Sequence, residues 1–272
     1  MARLIRSRSR ASAASTGITA PWGWALAGAM TGLLLILLFQ APARWLTSAL
    51  QEASQGRLVF QDARGTVWNG SARLSLTGGA GSREAATLPG RLNWFIRPAW
   101  SGLSADLHAD CCMQQPWRLN LSPRWDGAQL VLADSTSLWP AQWLTGLGTP
   151  WNTVQIEGQL TLTTQSLNLQ WTGGRMTLTG RLQLDADNLS SRLSTLKPMG
   201  SYRAILQGGA APTFQLETRE GRLQLTGTGQ WAGSRFKFDG VASAAPEHQD
   251  ALSNLLNIIG RRDGARAIIK VG

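Results

Sequence analysis

VQIEGQLTLTTQSLNLQWTGGRMTLTGRLQL, residues 154–184, decides the fold class. Its apolar side chains recur at every second position, the spacing of a β-strand with one buried face, and not at the 3.6-residue spacing of a helix. Val154, Ile156, Leu160 and Leu162 mark one face of a strand, and Leu167, Leu169 and Trp171 mark the next. Thr172-Gly173-Gly174 supplies a turn, and Met176, Leu178, Leu182 and Leu184 continue the same face on the strand that follows. The alternating polar positions are mostly Thr, Gln, Ser and Asn. Accordingly, only 15% of the chain is charged, below the usual share of about a quarter.

The same period extends in both directions. Arg57–Asp62 and Ala72–Thr77 read as strands, with Asn69-Gly70 between them as a hairpin turn. Leu223, Leu225, Trp231, Phe236 and Phe238 carry the pattern toward the C-terminus. Gly180, Gly227 and Gly229 fall inside strands, where glycine marks a bulge or a close backbone approach. The expected fold is mainly β: an antiparallel meander that closes into a sandwich or remains an open curved sheet with a groove. A short helix over Trp139–Gly148, with Pro140 in its first turn, divides the β-rich part into possible halves at 56–138 and 152–272. Glu247–Ile259 reads as a short amphipathic helix packed on the sheet, because Leu252, Leu255, Leu256 and Ile259 form one stripe. Arg266–Val271 is a closing strand. Most of the tryptophans beyond residue 60 are expected to fill the core, and a minority to line an interaction surface.

Before the strands stands a different kind of segment. Trp22–Phe39 holds no charge, and extended to Ala43 it is long enough to cross a bilayer as a helix. Trp22, Trp24 and Trp45 flank it as interfacial tryptophans do. Arg3, Arg6, Arg8 and Arg10 precede it, which places the N-terminus in the cytoplasm and the remainder outside. Ala41-Pro42-Ala43 has the form of a signal-peptidase site, but the uncharged run exceeds the about 7–15 residues of a signal h-region. The expected organisation is therefore a basic cytoplasmic tail (1–20), a retained transmembrane anchor (21–43) and a periplasmic β-rich domain (44–272). A helix-like stretch, Pro42–Ser54, opens that domain at the membrane surface.

The chain offers little chemistry. Its net charge is +10; four arginines precede the anchor, and those beyond it are scattered over turns and strand ends, which suits an anionic membrane better than nucleic acid. The two histidines, His108 and His248, are far apart and have no second ligand at helical or hairpin spacing. No G-x-S-x-G and no phosphate-binding loop occurs. Asp185 with Asp187 and Glu217 with Glu220 are carboxylate pairs, and the first pair, beside a serine-rich loop, is expected to be solvated. The only two cysteines, Cys111 and Cys112, are adjacent. They leave three options: a vicinal disulfide, two buried thiols or an intermolecular bridge. No enzyme, cofactor, metal or small-molecule substrate is expected.

Several phrases carry a family resemblance. Gly65-Thr-Val-Trp-Asn-Gly-Ser-Ala72, preceded by Gly56-Arg-Leu and followed by Leu88-Pro-Gly-Arg-Leu-Asn-Trp94, resembles the type II secretion system protein N family. So do Gly148-Thr-Pro-Trp-Asn-Thr153, the stretch Ser190–Tyr202 and the closing Asn254–Arg262. The resemblance implies an accessory, non-catalytic inner-membrane component of the Gram-negative machine that exports folded periplasmic proteins. Its implied partners are other inner-membrane and periplasmic secretion subunits, besides the lipid bilayer. It carries no established site. Exposed aromatics and arginines near turns, Trp68, Trp151, Arg261 and Arg262, are the candidate partner contacts. A second resemblance, to anchored β-groove proteins of the AsmA-like group, implies instead a Leu-rich face that binds acyl chains.

Overall fold

The computed structural model describes residues 21–233 and 235–272. The basic tail, with its four arginines, lies outside the described residues. The chain falls into two units that meet between Phe39 and Gln40. The described part of the first is one helix, α1 (Trp22–Phe39), with a mean hydropathy of 1.9 and no buried residue. By length and composition it is able to cross a membrane.

The second unit is built on a single sheet. Its first hairpin joins β1 (Leu58–Gly65) to β2 (Asn69–Thr77). There follow β3 (Ala85–Thr87), β4 (Leu92–Ala99), β5 (Gly102–Ala109), β6 (Trp117–Arg124), β7 (Gly127–Leu132) and β8 (Ser135–Pro140). Two long strands, β9 (Ile156–Thr172) and β10 (Arg175–Ser191), occupy the middle. The rest are β11 (Gly200–Gln207), β12 (Thr213–Gly221), β13 (Leu223–Ala232), β14 (Arg235–Ala244), β15 (Arg261–Asp263) and β16 (Arg266–Val271). Among the described residues these sixteen strands form one sheet in the order β1-β2-β4-β5-β6-β7-β9-β10-β11-β12-β13-β14-β16-β15. β3 pairs with β2, β8 pairs with β9, and the pairing is antiparallel throughout. β1 and β15 end the order without meeting, so the sheet stays open rather than forming a sandwich. β7 pairs directly with β9, which makes the sheet continuous from 56–138 into 152–272.

Residues 156–172 form one strand of 17 residues, not the two strands expected from their phase change. The change is a β-bulge. Two residues of β9, Ser166 and Leu167, oppose the single Gly180 of β10, and Ser166 has a φ of 49°. An added residue shifts the side-chain parity, so Leu160 and Leu162 before it face the same side as Leu167 and Leu169 after it. A second bulge at Asn188, φ 51°, does the same for β10, and buries Leu189 and Ser191 where even-numbered residues pointed inward before. A third, at Asp62, φ 51°, bends β1. Bulges raise local twist as well as correcting register.

Two turns repay comparison. Gly173 and Gly174 both have positive φ, 55° and 76°, and form the β9–β10 turn as expected. Asn69-Gly70 does not form the first turn. Thr66, Val67 and Trp68 make it, with the left-handed residue at Gly65, φ 84°. Asn69 and Gly70 already belong to β2, and a Cβ at Gly70 would stand 2.6 Å from Cζ2 of Trp94. This glycine is required by the ring above it.

Short helices cover parts of the inner face. α2 (Ala43–Ala53) corresponds to the helix-like stretch after the anchor. Trp139 and Pro140 belong to β8, and a 3₁₀ helix begins only at Ala141 and runs to Leu147. A single-turn helix, α3 (Trp151–Val154), leads into β9. α4 (Gln249–Ile259) places Leu252, Leu255 and Leu256 in full burial against Leu223, Ala242 and Ala267.

Gly227 and Gly229 lie beneath Phe238 and Phe236. A Cβ at Gly227 would come within 2.3 Å of the Phe238 ring. Replacing Gly227 with valine forces the ring aside, and overpacking of this kind costs about 1–3 kcal/mol. The expected outcome is a lower midpoint of urea unfolding for the purified chain with an unchanged slope.

Candidate functional site

The inner face of the sheet forms two half-open apolar cavities. The first, of about 570 Å³, lies in the first half. Leu46 and Leu50 of α2, Phe60 of β1 and Trp94 of β4 bound one side, and Trp139, Leu160 and Leu184 bound the other. Strands β1 and β10, seven pairings apart in the sheet, thus face the same space, which measures how strongly the sheet curls. Trp117, Trp139 and Trp143 form a cluster on its wall. Trp139 stacks on Trp143 at 5.2 Å between ring centroids and meets Trp117 edge-on at 5.8 Å. The indole N–H of Trp139 donates to Ser137 Oγ at 2.8 Å. Those of Trp117 and Trp143 are buried and find no acceptor among the described residues.

The second cavity, of about 820 Å³, lies in the second half. Phe214, Phe236 and Phe238, Tyr202, Leu223 and Leu255 line it, and Arg261 and Lys270 stand at its border. The three phenylalanines pack edge-on or stacked at 5.7–6.4 Å. The Tyr202 hydroxyl donates to the Leu223 carbonyl at 3.0 Å, and burial pushes its phenol well above the ordinary range. It stays neutral at any physiological pH. Both volumes are those of small-molecule sites, about 300–1,000 Å³, and their walls are apolar.

The candidate contacts are dispersed. Trp68 is half-buried on the β1–β2 turn, and its carbonyl accepts the Ile96 N–H at 2.6 Å. Trp151 opens α3 and, like Arg261, lines the second cavity. Arg262 is exposed on β15. Cys111 and Cys112 are joined in a disulfide on the β5–β6 turn, with Cys112 buried and Cys111 exposed. The Trp117–Trp139–Trp143 wall was not singled out in the sequence. Three tryptophans on two strands and a 3₁₀ helix share no spacing that would reveal it.

Polar groups serve the sheet. Asp185 is not solvated. Its side chain is 13% exposed and accepts hydrogen bonds from Arg203 Nε and Gln183 Nε2, each at 2.6 Å. Burial raises its pKa, but the bonds from Arg203 and Gln183 outweigh burial and hold the carboxyl below its ordinary value. Asp62 is likewise lowered, first by its hydrogen bond from Arg91, whose Nη1 lies at 2.7 Å, and then by Arg64. Asp62 also sits at the bulge of β1, so Arg91 ties that bulge to β4. His108 lies on the outer face, its Nε2 3.0 Å from Asp110. Among the described residues no group of three or more His, Cys, Asp or Glu is placed to hold a metal ion.

The family model of the type II secretion system protein N matches residues 56–269, from just before β1 into β16. The chain belongs to that family. It is a component of the type II secretion system, and the match covers the whole sheet apart from its last residues. No curated protein and no solved structure matches it.

The lowered Asp185 fixes a pH dependence. Unfolded, an aspartate titrates near about 3.9. Its native value is lower, so its contribution is complete above about pH 4 and is lost as pH falls through the native value. Asp185→Asn is expected to flatten that acid limb. Arg203→Met leaves the buried carboxylate only the more distant Arg219, 3.7 Å away, and is expected to cost about 1–3 kcal/mol at pH 7. Chemical unfolding across pH 3–8 checks both.

Proposed function

We propose that this family member is a non-catalytic assembly subunit held in the inner membrane. In this reading α1 crosses the membrane once, with the N-terminus in the cytoplasm and the sheet in the periplasm among other secretion subunits. The family match carries the reading, and the uncharged, unburied α1 supports the anchor. The open sheet supports a scaffold. Edge strands present unpaired backbone groups on which a partner can add a strand. β15, with exposed Arg261 and Arg262, and β1 are the two candidate edges. Trp68 and Trp151 are further candidate contacts. A photo-crosslinker at Arg262 in cells is expected to capture secretion subunits, and a periplasm-dependent reporter fused after Gly272 is expected to be active. Capture of none, or reporter activity confined to the cytosol, removes this reading.

The two cavities favour a second reading, a membrane-anchored β-groove that binds lipid. Apolar walls suit acyl chains, and the unpaired indole N–H groups of Trp117 and Trp143 suit an ester or headgroup oxygen. Mass spectrometry of the chain extracted in native lipid with a solubilising polymer tests it. The wild type is expected to carry more bound lipid than Leu162→Trp, which fills the first cavity. Equal lipid in both disproves the groove.

A further inference from the structure

The two most exposed tryptophans of the sheet are at hairpin tips. Trp100 lies between β4 and β5, and Trp125 between β6 and β7, with relative exposures of 109% and 108%. A tryptophan left wholly in water at a tip contributes nothing to the core, so these two stand outside the core role expected of most tryptophans. Strands of a meander alternate in direction, so the β4–β5, β6–β7, β9–β10 and β13–β14 turns all lie at one end of the sheet. The pairing confirms it. Gly127 at the start of β7 pairs with Thr172 at the end of β9, and the Gly173 N–H bonds to the Asp126 carbonyl of the neighbouring tip.

This tip rim gathers most of the large apolar side chains that the strands leave exposed. Leu103 and Leu121 pair with each other just behind Trp100 and Trp125, while Met176 and Trp231 lie beside the next tips. The rim is also basic. Arg124, Arg175, Arg235 and Lys237 stand on it, with Asp126 as the nearby acid, while Arg97 is held by Asp106. The opposite rim carries the disulfide turn, the 192–199 loop and α4, whose leucines are buried.

The chain enters the sheet unit at the tip rim. The Val67 N–H of the β1–β2 turn bonds to the Ala41 carbonyl at 2.8 Å, and Pro42 bridges to Thr66. That turn lies toward the tips, because Asn69 pairs with Phe95 as β4 runs on to Ala99. Only Gln40 and Ala41 stand between Phe39 and the bridged Pro42, three Cα steps that reach about 11 Å at most. A bilayer crossed by α1 therefore lies within a short tether of this rim.

We propose that the tip rim seats on the bilayer, with Trp100 and Trp125 in its interface and the surrounding arginines and lysine on anionic headgroups. Tryptophan suits that zone because its ring is apolar and its N–H needs a wet partner. Basic side chains beside it add attraction to anionic lipid. The inference rests on the anchor reading for its orientation.

The test uses the full chain reconstituted in phosphatidylethanolamine–phosphatidylglycerol bilayers. Cys111 and Cys112 are bonded to each other, so one introduced cysteine takes an environment-sensitive fluorophore selectively. Labels go on Trp100→Cys and Trp125→Cys at the tips, Arg222→Cys on the opposite rim, and Gly28→Cys in α1, where an added Cβ meets nothing within 4 Å. Tip labels are expected to shift to the blue and to be quenched by a lipid-borne nitroxide several-fold more than the Arg222 label. Tip labels that stay in water overturn the proposal and leave a protein partner as the occupant of the rim. The Gly28 label reads the anchor separately. If it too stays in water, the anchor reading has failed as well. If it alone is in lipid, only the rim proposal has failed.

Discussion

The sheet has one apolar face and no second sheet to bury it against, and the rest of the structure answers to that constraint. Large apolar side chains on the strands from β1 to β16 along the path must point to the same side, while β15, Arg261-Arg-Asp263, adds none. A flat sheet would leave them in water. Curling brings β1 and β10 to opposite walls of one cavity, and α2, the 3₁₀ helix and α4 cover part of what remains. Long strands such as β9 and β10 would lose this facing through twist and register error. The bulges at Asp62, Ser166 and Asn188 restore it while adding bend. The glycines under Trp94, Phe236 and Phe238 let rings lie flat on neighbouring strands.

Much of this was legible in the sequence, because a period of two is a direct imprint of a one-sided sheet. The strands, the Gly173-Gly174 turn, α2, α4 and the open-sheet alternative were all readable from it. What was missed has identifiable causes. A bulge and a turn both break the alternation, and only pairing across strands distinguishes them, so β9 was read as two strands. Asn69-Gly70 was read as a turn because the dipeptide suits positive φ, although Gly70 is there for the Trp94 ring. The sequence alone reads Asp185 as solvated because Arg203 and Gln183, which hold it, are distant or unremarkable in sequence.

The tryptophans divide in the same way. Composition assigns most of them to the core and a minority to an interaction surface, without saying which. The fold sends Trp94, Trp117, Trp139 and Trp143 to the cavity wall, and Trp100 and Trp125 to the tips. The difference lies in strand parity and turn position, which one residue type cannot reveal. The family phrases, by contrast, mark folding features such as the β1–β2 turn and the segment into β9, which is why they identify the family without identifying a site.

The strand order also bears on how the molecule is made. Nearly every strand lies beside its predecessor in the chain, and the exceptions, β3, β8 and the β15–β16 pair, are local detours. A polypeptide delivered N-terminus first therefore finds each partner edge already in place, and the sheet can grow by zippering as it emerges. Greek-key folds must wait for distant segments, whereas this meander closes only short loops at each step. Vectorial growth adds only one short-lived growing edge to the standing edge at β1, which limits the opportunity for aggregation before the last strand arrives.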